Sequence, residues 1–76
     1  MDLDNLIVMA NRIGAFFEAQ PDRDEALAGI AEHVKKFWEP RMRRQILAAL
    51  DTADGAAMSD VVRSALSTFR ATLQPD

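Results

Sequence analysis

Pro21 and Pro40 stand where stretches of helical apolar spacing end, and with Gly55 they cut the chain into four short segments. Pro40 lacks an N–H and steers Glu39 out of helical geometry, so one helix ends near Trp38 and the next starts at Pro40. Helices this short gain most of their stability from packing on one another, which constrains the chain to a small bundle.

The spacing fills in the segments. From Asp4 to Ala19, Leu6, Met9, Ile13, Phe16 and Phe17 recur at intervals of three or four, with Asp4 or Asn5 as cap. After Gln20-Pro21, Asp22 caps a second helix with Asp24 and Glu25 in its first turn. Its inner stripe is Leu27, Ile30, Ala31, Val34 and either Phe37 or Trp38, while Glu32 and Lys36 are spaced for an exposed ion pair. Gly29 either weakens this helix or permits close approach of a neighbour. The third helix places Met42, Ile46, Ala49 and Leu50 on one face and stops before Gly55, and Ser59 caps a last helix burying Val62, Ala65, Leu66 and Phe69. No segment alternates with period two for long enough to make a strand. The expected fold is all-α: a single domain over residues 1–76, a bundle of about four short helices over 4–19, 22–38, 40–52 and 59–73, with a corner at Pro40 and the third helix free to lean away.

A domain of 76 residues is marginal, because it buries only roughly 60–65% of the surface its unfolded chain exposes. Chains of this size gain support from disulfides, a metal or a partner. With no cysteine and a single His, the partner is what remains. The absence of a transmembrane run or a signal-like start, and of cysteine, leads us to expect a cytoplasmic protein that does not engage a membrane.

Little here converges for chemistry. His33 is the sole imidazole, Tyr is absent, and Ser59, Ser64 and Ser67 have no evident base, so no catalytic residue is assigned. His33 with Glu32 or Glu25 offers too few metal ligands, and it is read as a partly exposed helical residue. Glycines 14, 29 and 55 are too scattered for a phosphate loop.

Charge is distributed unevenly. The net charge is −3, yet Lys35 to Arg44 holds five positive charges and one negative, leaving −7 for the rest. Arg41, Arg43 and Arg44 crowd the start of a helix, where exposed N–H groups already carry partial positive charge. An acidic partner or neighbouring carboxylates should compensate. Aromatic residues at helical spacing are more often core than interface, and a charge run is usually a solvated face. However, adjacent helical residues point about 100° apart, so Phe37 and Trp38 cannot share one narrow stripe. The same holds for Phe16 and Phe17. An outward Trp38 among arginines has the composition of a protein-binding hot spot. The partner-binding set is therefore Phe37, Trp38, Pro40, Arg41, Arg43 and Arg44. DNA binding through a helix-turn-helix is the weaker use of the corner, because its second helix is poor in base-reading residues, with no Asn or Ser and Gln45 alone, and the rest of the chain is acidic.

Met9-Ala10-Asn11-Arg12-Ile13 with Phe16-Phe17, Gln20-Pro21, Glu25-Ala26, Gly29-Ile30-Ala31-Glu32-His33-Val34 and, most specifically, Phe37-Trp38-Glu39-Pro40-Arg41-Met42-Arg43 resemble the delta subunit of cytoplasmic NAD-dependent formate dehydrogenase. The similarity is concentrated between Met9 and Leu50 and continues more weakly through Val61-Val62-Arg63 and Ala65-Leu66. The resemblance implies a non-catalytic accessory subunit of a molybdenum enzyme that oxidises formate to carbon dioxide and reduces NAD. It also implies that the molybdenum pterin, the iron–sulfur clusters, FMN and NAD belong to other subunits, with no cofactor in this chain. Lack of cysteine agrees, since cluster ligation relies on thiolates. The expected role is docking on the catalytic alpha subunit, to stabilise or help assemble the complex. The alternatives are a transient maturation factor for molybdenum cofactor insertion, its arginines holding the cofactor's phosphates, and, less favoured, a small DNA-binding regulator.

Overall fold

The computed structural model describes residues 2–75. Helix α1 spans Leu3–Glu18, α2 Arg23–Phe37 and α3 Pro40–Ala49; a 3-10 turn at Ala53–Ala57 leads into α4 at Asp60–Thr68, and α5 covers Arg70–Leu73. The fold is all-α. Asp22 caps α2 as expected, its carboxylate accepting from the Glu25 N–H at 3.2 Å. At the corner Glu39 is extended (φ −65°, ψ 155°) and Pro40 opens α3, as the pre-proline restriction dictates.

One expected cap moves: the N-cap of α1 is Asp2, with no side-chain bond, rather than Asp4 or Asn5. Ser59 is the N-cap of α4 as expected, yet it lacks a side-chain capping bond. Asn11 of α1 does the work there instead: its Oδ1 accepts from the Ser59 N–H at 2.8 Å and its Nδ2 donates to the Ala57 carbonyl at 3.0 Å. One amide thus pins the start of α4 to α1 across 48 positions of chain.

Helix α2 is central and packs on α1, α4 and α5. The core joins Leu6 and Ala10 of α1, Ile30 and Val34 of α2, Ile46 and Leu47 of α3, and Val62, Ala65 and Leu66 of α4. Because α3 contributes to this core and packs on α1, it does not lean away. Met58 and Leu73, both absent from the expected core, are buried as well. The last segment breaks at Phe69 (φ −106°, ψ 22°), and this kink carries Leu73 inward while Phe69 stays half-buried.

Glycines 14 and 29 set the helix spacing. A Cβ on Gly29 would lie 2.5 Å from two ring carbons of Phe17, and one on Gly14 would lie 2.6 Å from a methyl of Val62. Both allow a neighbouring side chain to rest directly on helix backbone.

Candidate functional site

The Pro40 corner is built from the last turn of α2, two extended residues and the first turns of α3. Its two aromatic residues take opposite roles. Trp38 is only 5% exposed and belongs to the core, whereas Phe37 is 67% exposed. The outward orientation expected for Trp38 is therefore corrected. The 100° separation of neighbours assumed helix through residue 38, but α2 ends at Phe37 and Trp38 is extended (φ −90°, ψ 135°). Leaving the helix swings the indole out of the helical register and into the bundle.

Arg43 is also turned inward. Its Nε donates to the Leu73 carbonyl at 3.0 Å, and its Nη1 donates to the carbonyls of Trp38 at 3.0 Å and Lys35 at 3.3 Å. These oxygens lie at the C-terminal ends of α2 and α5, where carbonyls lack intrahelical donors and the dipole is negative. Lys35 adds to the same end of α5, its Nζ donating to the Thr72 carbonyl at 3.0 Å. The charge misplaced at the start of α3 is thus partly answered within the chain, by carbonyls, where an acidic partner or neighbouring carboxylates are the expectation.

Of nine Lys and Arg side chains, five are engaged internally: Arg23 on Ser64, Lys35, Arg43, Arg63 on Asp60, and Arg70 on Asp51. Arg12, Lys36, Arg41 and Arg44 are exposed, and among the described residues they form no ion pair or hydrogen bond. The Glu32–Lys36 spacing is likewise not closed into an ion pair. Pro40 is exposed. Of the expected docking residues, Phe37, Pro40, Arg41 and Arg44 are exposed, while Trp38 and Arg43 turn inward and hold the corner in shape.

A second feature adjoins the corner and was not assembled from sequence. Phe16, Phe17, His33 and Phe37 form a continuous strip, with ring centroids 5.1, 6.5 and 4.8 Å apart in that order. Two helical rows create it. Gly29, His33 and Phe37 recur every fourth residue on α2, and Ile13 and Phe17 do so on α1. Gly29 lets the Phe17 ring lie against α2. Phe16, adjacent to Phe17, points away from the core and is 73% exposed. His33 is half-buried between rings, in keeping with its expected placement. Shallow grooves beside the strip are lined by Arg12 and Ile13 at one end and by Glu32 and Lys36 at the other. The sequence signal was available: the Phe16-Phe17 pair, the Phe37-Trp38 pair and a His four residues before Phe37 exceed what one inner stripe accommodates.

Among the described residues no group of three or more His, Cys, Asp or Glu side chains is placed to hold a metal ion, and no helix is long and apolar enough to cross a membrane. Fold and surface define a small helical module whose chemically distinctive features are exposed aromatic rings and unpaired cations. Residues 5–66 match the family described as the NADH-dependent formate dehydrogenase delta subunit, FdsD, and the chain belongs to that family. No curated protein and no solved structure gives a match.

Proposed function

We propose that the chain is a non-catalytic accessory subunit that docks on the catalytic alpha subunit of a cytoplasmic, molybdenum-containing formate dehydrogenase and stabilises the assembled enzyme. Formate oxidation and NAD reduction take place in the other subunits, which hold the molybdenum pterin, iron–sulfur clusters and FMN. Membership of the delta-subunit family supports the assignment to the complex. The observation that carries docking is the exposed corner. Phe37, at the end of α2, and Arg41 and Arg44, in the first turns of α3, are exposed, and the two arginines have no hydrogen-bond or ion-pair partner among the described residues, while Trp38 and Arg43 hold the backbone of the corner.

Arginine forks pair with carboxylates on the partner, and the Phe37 ring enters an apolar recess between them. An exposed Phe forgoes roughly 1.5–3 kcal/mol of burial free energy, which is released when a partner covers it.

The test is co-purification. With tagged alpha subunit, an Arg41→Ala, Arg44→Ala double variant is expected to be largely lost during washing at moderate salt, while the wild-type chain is retained. Equal retention of both would remove the arginines from the interface. Stoichiometry separates a permanent subunit from a maturation factor: the subunit stays at one copy per catalytic chain in active enzyme, whereas the factor leaves once the cofactor is in place.

A further inference from the structure

We propose that the aromatic strip on α1 and α2, from Phe16 through Phe17 and His33 to Phe37, seats an apolar segment of the catalytic subunit flanked by carboxylates. This rests on the docked-subunit reading above and extends its contact from the Pro40 corner across to α1.

The strip is a formed surface rather than a scatter of exposed side chains. Its rings meet edge-on or tilted over centroid distances of 4.8 to 6.5 Å, and Phe17 is held against α2 by the missing Cβ of Gly29. Both ends are open, with Phe16 73% and Phe37 67% exposed. Aromatic residues anchored on rigid helices lose little side-chain entropy when covered, and contiguous exposed apolar patches mark interaction sites.

Charge identifies the occupant. Arg12 flanks the Phe16 end and Lys36 the Phe37 end, and neither has a partner among the described residues. Among the described residues Glu32 is the sole carboxylate lining these grooves. The strip is therefore net positive in a chain of net charge −3. It complements apolar residues bordered by Asp or Glu. A second copy fits poorly, because a twofold contact sets the same patch against itself and brings Arg12 and Lys36 of each copy to the other's cations.

The experiment uses the complete complex, with Phe16→Glu, Phe37→Glu and an Arg12→Glu, Lys36→Glu double variant co-expressed with the other subunits. Phe16 and Phe37 are exposed, so each variant should keep wild-type helical circular dichroism. The expected result is at least a tenfold loss of affinity for the catalytic subunit in all three, with salt weakening the wild type more than the charge-reversed chain. If the wild-type chain binds and the Phe16→Glu and Phe37→Glu variants bind equally well, the strip is not the seat, although the subunit assignment stands. If the wild type itself fails to bind, the assignment falls first. A stable dimer of the isolated chain that Phe16→Glu dissolves would overturn the choice of occupant.

Discussion

Arg43 and Arg44 are adjacent and chemically identical, yet only Arg43 is committed to the fold. Its guanidinium bonds three carbonyls at two helix ends, and hydrogen bonds to a charged group contribute roughly 1.5–3 kcal/mol. Because the site is only half-buried and water can replace part of what is lost, Arg43→Ala should destabilise the chain by about 2 kcal/mol. Arg44→Ala should stay within about 0.5 kcal/mol of wild type, as expected for an exposed residue with no hydrogen bond or ion pair among the described residues. Urea denaturation of the two variants checks the contrast, and equal midpoints would refute the carbonyl clamp. Trp38→Ala should cost about 3–5 kcal/mol, the range for a large core aromatic. That is a large share of the roughly 4–11 kcal/mol expected for a domain this size. A binding defect in Trp38→Ala would therefore report unfolding rather than a lost contact, which makes Phe37 the informative aromatic at the corner.

Asp51 and Arg70 offer a pH signature at the same scale. Their side chains pair through two hydrogen bonds of 3.0 Å, and the hydrogen bond from Arg70 holds the Asp51 carboxyl below its ordinary pKa. A depressed carboxylate pKa stabilises the fold above the unfolded value, and this contribution is lost as pH falls through the folded one. Arg70→Gln should therefore melt below wild type at neutral pH. The gap should close once the pH drops beneath the lowered Asp51 pKa. A melting difference that does not change with pH would show that ionisation of the pair contributes nothing. The effect is small, since both groups are open to solvent.

At the scale of elements, close approach replaces helix propensity as the deciding term. Gly14→Ala improves propensity by about 1 kcal/mol. However, the new methyl would meet Val62, which is fully buried and cannot move aside, at 2.6 Å. Overpacking of this kind costs about 1–3 kcal/mol, so the variant should be less stable despite its better helix former. Thermal melts decide it: a rise in Tm would show that α1 and α4 have room to separate.

The elements also show what could be read in advance. The Asp22 cap, the Pro40 start and the inner residues of α2 follow from local chemistry, and they appear where spacing put them. Trp38, Arg43 and the Asn11 bridge depend on chain far away, on Leu73 and on residues 57–59, which no local pattern encodes. The burial of Leu73 likewise turns on a kink at Phe69 that helical periodicity does not announce. Of the expected docking residues, Phe37, Pro40, Arg41 and Arg44 remain available at the surface. Phe16, Phe17 and His33 join them only once α1 lies against α2.

At the scale of the whole molecule, a bundle with a radius of gyration of 11.1 Å leaves two phenylalanines largely exposed and, among the described residues, four cations unpaired. A chain this short has little core to spare, so apolar area held in reserve on one face is best explained by a partner that covers it. Binding the folded form would also raise the chain's apparent stability by mass action. The complex should thus protect the slow-exchanging amides of α1 and α2 beyond their level in the free chain. Unchanged hydrogen exchange on complex formation would count against docking on that face. The proposed resident, non-catalytic subunit of formate dehydrogenase must remain with the working enzyme, and native mass measurement of the active enzyme purified from its own cell decides whether it does. The predicted mass includes this chain at one copy per catalytic subunit; a fully active complex whose mass excludes it would contradict the proposal.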